Sequence, residues 1–397
     1  MDNMDYHNIR NKLAEIAKIV LEEDYENIHS HGLFAGTSGI ALFCFLYYKE
    51  FGIQAFWDKG LSLLNQGISI AGESSVTSIC DGLSGLAWTC RFLFENGILN
   101  NDDVGFLDDA DDYLYKIMIS GMARNNIDFF HGSVSIAAYF AYRTDIKNET
   151  EKYIIDCLAM LQKLCVKDEQ GCRWFFHNEN FPDMMTTNLS LSHGMSSIVI
   201  LLSKISRLFN NENKDLIYTL RESVKFLMNQ RFSDVRSSLF PSWAQNIDNM
   251  KFSRMGWCYG DLGIALAIYH ASIALNDKSI KKFSIDCFLH SAKRVDLKQD
   301  LVIDCGICHG TSGIALIFLR LYKNTGIAEF KNAYDFWYNK TLVMASHKDG
   351  LAGYKAWRNG GFENSHIFLT GLAGIGLALL SLISKEDLYW DECLLLS

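Results

Sequence analysis

Proline is almost missing from this chain: 397 residues contain two. Proline breaks a helix from inside, so its scarcity removes the commonest obstacle to a chain built of long helices. Positive charge is also short, with 37 Lys and Arg against 46 Asp and Glu and a formal net charge of -9. Nucleic-acid binders cluster basic side chains to neutralise phosphates, so no nucleic acid is expected as partner, and a basic or amphiphilic peptide suits the surface better. No apolar run reaches the roughly 18 residues of a membrane helix. The nearest, GIALAIYHASIAL (263–275), is interrupted by His270. The first residues, MDNMDYHNIRNKLAEIAKIV, lack the charged, apolar and cleavage regions of a signal peptide, and a cytoplasmic protein is expected. Low-complexity segments and linkers are missing too, so residues 1–397 read as a single domain.

What is present is apolar and cysteine-rich. A content of 49% apolar and 21% charged residues belongs to a globular chain and excludes the composition of disorder. In a reducing compartment the 11 cysteines are expected as buried thiols or metal ligands, not as a disulfide framework.

A glycine pattern recurs along the whole sequence. In order it reads GLFAGTSGIALF (from Gly32), CDGLSGLAW (from Cys80), FFHGSVSIAAYF (from Phe129), LSHGMSSIVILL (from Leu191), WCYGDLGIALAI (from Trp257), CHGTSGIALIFL (from Cys308) and LTGLAGIGLALL (from Leu369). The leading glycines are Gly36, Gly82, Gly132, Gly194, Gly260, Gly310 and Gly371, spaced by 46 to 66 residues. That interval accommodates two helices with their loops. Each glycine opens a stretch apolar on nearly every side, the mark of a buried helix. Between these stretches lie one-sided patterns: NKLAEIAKIVLEE (11–23) puts Leu13, Ile16, Ile19 and Val20 on one stripe, and EKYIIDCLAMLQKL (151–164) behaves likewise.

Alternating buried and amphipathic helices close naturally into two concentric rings. The expected fold is all-α, an α/α toroid, with the glycines letting backbones crowd at one end. An open solenoid is the alternative. Its last repeat would carry a polar cap, whereas GLAGIGLALLSLIS (371–384) is as apolar as the middle copies. The least helical stretch, residues 167–188, reads as a hairpin or a loop near the ring mouth.

The residues preceding the leading glycines are Ala35, Asp81, His131, His193, Tyr259, His309 and Thr370, so ionisable groups recur at one structural level. Cys258, Cys308 and His309 are donors that suit zinc, and three protein ligands leave a fourth, open tetrahedral position. Cys308 and His309 are adjacent and do not share a helix face, so both reach one ion only from a turn before the helix. Buried structural thiols are the competing reading. Cys305 and Cys308 also form a C-x-x-C, which leaves open a redox pair or a closed, structural Cys3His site.

With WCYG (257–260), CHG (308–310) and SHG (192–194) set in seven glycine copies, the chain resembles the lanthionine synthetase C family, the lanthipeptide cyclases and LanC-like proteins. The resemblance implies an α/α toroid carrying one zinc ion, with Cys258, Cys308 and His309 as ligands. It implies His193 as the catalytic histidine, Asp128 and Arg254 as the acidic and basic active-site positions, and Tyr259 beside the zinc cysteine. Asp128 and Arg254 read equally well as an ion pair fixing two copies, and His131 is an additional imidazole of unassigned role. The activity implied is addition of Cys thiols across dehydrated Ser and Thr residues of a precursor peptide, giving thioether rings. The alternative is a zinc protein that binds or transfers a small thiol such as glutathione. A dehydratase and an exporter are implied as partners, with peripheral membrane association through such a complex. Copies three and four depart from the pattern, with Ser135 and Ser197 at the second glycine.

Overall fold

The computed structural model describes residues 6–143, 148–176, 186–233, 237–244, 252–387 and 389–397. All seven glycine copies carry the helix expected of them. These helices run Thr37–Phe51, Leu83–Glu95, Ser133–Tyr142, Met195–Leu208, Asp261–Ala274, Thr311–Thr325 and Leu372–Ile383, each starting directly after its leading glycine. Amphipathic helices alternate with them: Tyr6–Glu22, Gln54–Glu73, Leu107–Ala123, Asn148–Leu164, Lys214–Asn229, Lys278–Ser291 and Ala328–Val343. The first of these buries Ile9, Leu13, Ile16, Ala17 and Val20. Ile19, expected on the stripe, is half-buried beside it.

A shared turn explains the glycines. In five copies the first helical N–H donates to a carbonyl seven residues back: Thr37 to Ser30, Leu83 to Val76, Ser133 to Asn126, Thr311 to Asp304 and Leu372 to Ser365, at 3.0–3.1 Å. The chain thereby folds tightly against the glycine. A Cβ on Gly194 would lie 2.3 Å from the Asn188 carbonyl oxygen, a collision that only glycine avoids. Gly260 is doubly constrained, with φ of 103° and a Cβ position 2.0 Å from the Arg254 oxygen. At the second glycine, Ser135 and Ser197 fold back, and their hydroxyls donate to the carbonyls of Gly132 and Gly194 at 2.7 and 2.8 Å.

The chain divides into two compact units, Met1–Asp111 with Val302–Ser397, and Asp112–Leu301. In the first, Thr37–Phe51 packs on Gln54–Glu73 and Thr311–Thr325 on Ala328–Val343. The last buried helix, Leu372–Ile383, packs against Thr37–Phe51, Thr311–Thr325 and Tyr6–Glu22. The final copy therefore meets the first, which explains why it carries no polar cap. In the second unit, Asp261–Ala274 packs on both Met195–Leu208 and Lys278–Ser291.

Neighbouring turns are stitched by one repeated backbone bond. The N–H two residues before one leading glycine donates to the carbonyl two residues before the next. Phe34 donates to Cys80, Cys308 to Leu369 and Leu369 to Phe34 in the first unit, and Ser192 to Cys258 in the second, at 3.0–3.3 Å. Main-chain positions at the helix starts are thus set by hydrogen bonds that any sequence with these glycines can make.

Short antiparallel strand pairs interrupt the helices. Val166–Asp168 pairs with Gly171–Arg173, the hairpin expected in 167–188, of which residues 177–185 lie outside the described residues. Thr187–Asn188 pairs with Trp243–Ala244. Ala356–Arg358 pairs with Gly361–Glu363 around Asn359 and Gly360, whose φ values of 50° and 82° suit a two-residue hairpin turn. This last hairpin was not anticipated, although Asn-Gly is its sequence signal. Among the described residues no helix is long and apolar enough to cross a membrane.

Candidate functional site

In the Asp112–Leu301 unit, the turns before Ser133, Met195 and Asp261 converge. The His193 ring Nδ1 lies 2.8 Å from Asp128 Oδ2. Asp128 Oδ1 accepts the His131 backbone N–H at 2.7 Å, which orients the carboxylate. A carboxylate only accepts, so Nδ1 carries the proton and Nε2 is the nitrogen left for chemistry. The His193 backbone N–H in turn donates to Ser190 Oγ at 3.0 Å. Phe130, His131 and Tyr259 surround the imidazole, with ring centroids 5.1, 6.0 and 6.1 Å away.

Asp128 and Arg254 do not form the ion pair that the sequence left open. The carboxylate is taken by His193, and among the described residues the half-buried Arg254 guanidinium has no salt-bridge partner. Among the described residues, charge pairing therefore ties the acid to the imidazole and not to Arg254.

Cys258 is buried on the turn before Asp261. Its carbonyl accepts the Leu191 and Ser192 N–H groups at 3.0 and 3.3 Å, so the WCYG and SHG turns are joined at the residues that matter. The following residue, Tyr259, is half-buried, and its hydroxyl oxygen accepts from Asn188 Nδ2 at 3.2 Å. Burial pushes the phenol up from its ordinary range, and the hydrogen bonds from Asn188 and Ser190 act against it.

Asp261, the first residue of the helix, clamps this segment. Its buried carboxylate accepts the Leu239 and Phe240 N–H groups and Arg294 Nη1, at 2.9–3.0 Å. Arg294 also donates to Asp300 Oδ1 at 2.8 Å and to the Ser253 carbonyl at 2.9 Å. Burial pushes the Asp261 carboxyl up, opposed by Arg294 and the two amides. Sequence reading missed this clamp, although an acid just inside an otherwise apolar helix was its signal.

The other unit presents Cys308 and His309, both half-buried, on the turn before Thr311, as adjacency requires. Asp304 organises that turn: Oδ1 accepts the Gly306 N–H at 3.1 Å and Oδ2 the Trp357 N–H at 2.9 Å. His309 Nε2 lies 3.7 Å from the same carboxylate. Cys305 departs from this pair. It is buried, its sulfur sits 3.9 Å from the Thr341 carbonyl, and burial pushes its thiol up to about 12. Cys44, Cys90 and Cys157 are raised in the same way, by burial to about 12. Such thiols stay protonated near neutral pH.

A family model described as lanthionine synthetase C-like protein matches residues 27–395. The chain belongs to that family. It is similar to the nisin biosynthesis protein NisC of Lactococcus lactis subsp. lactis, at 25% identity over 348 residues covering 80% of this chain and 77% of the relative. A solved structure titled nisin cyclase superposes with a TM-score of 0.77 at 18% identity, over 98% of this chain and 97% of the other. The fold class of this lanthionine synthetase C-like chain is accordingly the all-α, α/α-toroid class expected from its glycine pattern.

Proposed function

We propose that this chain is a lanthionine cyclase that closes thioether rings in a dehydrated precursor peptide. The observation that carries the reading is the Asp128–His193 dyad beside Tyr259, held on the glycine turns of a family member. Cys258, Cys308 and His309 would hold one zinc ion, since thiolate and imidazole are the donors zinc takes. Their main chain supports this: Cys258 and Cys308 occupy equivalent places two residues before a leading glycine. Bound there, zinc would supply the Lewis acidity that keeps a cysteine thiol deprotonated near neutral pH. The family match spans both compact units, which supports their working as one domain, 1–397.

Ring closure forms a C–S bond at Cβ of the dehydro residue, and the displaced π pair becomes an enolate. One proton must then reach Cα. His193 Nε2 is the group suited to carry it, because Asp128 holds Nδ1 and steadies the imidazolium. Arg254, which has no carboxylate partner among the described residues, offers its charge to the enolate or to a peptide carbonyl. The finer expectations accompany this reading: a dehydratase supplies the substrate, an exporter removes the product, and the reaction is cytoplasmic.

The test joins metal content to turnover. The full chain is expected to hold one zinc, lost in Cys308→Ala and kept in Cys305→Ala. A synthetic peptide with one dehydroalanine and one cysteine should lose its free thiol without changing mass, since the addition is an isomerisation. Absence of zinc under metal-replete conditions, or turnover surviving in Cys308→Ala, would overturn the reading. Zinc lost in Cys305→Ala would instead indicate a closed site.

A further inference from the structure

We propose that Asn188 is a positioning residue that turns the Tyr259 hydroxyl proton toward substrate. The inference rests on the cyclase reading and adds to it a determinant of how the phenol acts. Asn188 is buried on the short strand Thr187–Asn188, six residues before Gly194. Its Oδ1 accepts the Ser190 N–H at 2.9 Å, which fixes the orientation of the amide. Nδ2 must then face the Tyr259 oxygen, at 3.2 Å, and can only donate to it. Tyr259 therefore accepts from Asn188, and its O–H is left for another partner.

The enolate oxygen formed during ring closure is an acceptor of the kind such a hydroxyl suits, and a preorganised donor stabilises charge that develops only in the transition state. No proton changes owner in this role. Tyr259 donates a hydrogen bond, while proton delivery to Cα remains with His193. Ser190, whose N–H orients the Asn188 amide, also accepts the His193 backbone N–H at its Oγ, so the two groups are fixed from one short turn.

The decisive variant is Asn188→Asp. It has the same shape and keeps Oδ1 for the Ser190 amide, but its carboxylate would accept the phenol proton and turn it inward. Ring closure of the synthetic peptide by the zinc-loaded full chain is expected to fall about tenfold or more in kcat, with KM nearly unchanged. In a Tyr259→Phe background the same change should cost nothing further, because the hydroxyl through which it acts is gone. Asn188→Ser, which can cap the Ser190 amide without reaching Tyr259, should reproduce the loss if Asn188→Asp folds poorly. Multiplying losses in the double variant, or a wild-type kcat in both Asn188 variants, would overturn the proposal while leaving the cyclase reading intact. A wild-type rate in Tyr259→Phe would remove Tyr259 from the site and this inference with it. Loss of all turnover in the unaltered chain would sink the cyclase reading itself.

Discussion

His193→Ala is expected to lower kcat for ring closure by about two to four orders of magnitude, the usual range for a lost proton-transfer group. Zinc content should not change, because His193 is not among the proposed ligands. The expectation follows from the 2.8 Å bond to Asp128, which protonates Nδ1 and leaves Nε2 as the working nitrogen. Asp128→Asn provides the sharper comparison. An amide can present its NH2 to Nδ1 and stabilise the other tautomer, so kcat should fall substantially although every atom keeps its place. Kinetics beside elemental analysis would check both. A His193→Ala enzyme of nearly full kcat would show that the proton comes from elsewhere, leaving Tyr259 or solvent as its source.

The second large effect concerns stability. His270 is buried in the helix Asp261–Ala274, and among the described residues neither ring nitrogen has a hydrogen-bond partner. Burial, reinforced by the charges of Arg207 and Lys204, lowers its pKa from 6.5 to about 3. The folded state thus holds a neutral imidazole where the unfolded chain would already be protonated. Between these pKa values the unfolded state binds more protons, so stability falls as the pH drops below 6.5 and is regained above it. The loss is on the order of 2 kcal/mol by about pH 5. His270→Leu removes the titration and fills the same apolar surroundings, so its stability should be flatter over this window and higher than the parent's at acid pH. Urea unfolding at several pH values would decide it. Parallel pH profiles for the two proteins would assign the acid sensitivity to other groups.

Some of this protein was legible in residue order alone. The starts of the seven buried helices follow from glycine, because the turn before each leaves no room for a Cβ, as at Gly194 and Gly260. That constraint is local and therefore written locally. The place of Cys308 and His309 on a turn follows as well, since adjacent side chains cannot share a helix face. The hairpin at Asn359–Gly360 is equally local, since Asn-Gly suits its two positive-φ turn positions, although it was not anticipated from the sequence.

Other properties depended on which turns the chain brings together. Asp128 and His193 are 65 residues apart, and nothing in their own segments distinguishes a partnership between them from one between Asp128 and Arg254. Cys305 and Cys308 look alike in a C-x-x-C, yet one thiol is buried against Thr341 and raised, while the other is half-buried on the turn. The Asp261–Arg294–Asp300 clamp and the Asn188–Tyr259 contact likewise join distant segments. Residue order determined the repeat, the helices and the positions able to carry chemistry, because backbone sterics and hydrophobic period act over a few residues. Tertiary structure decided which carboxylate meets which base and which thiol is shielded from water, because side-chain pairing and desolvation depend on neighbours that only folding supplies.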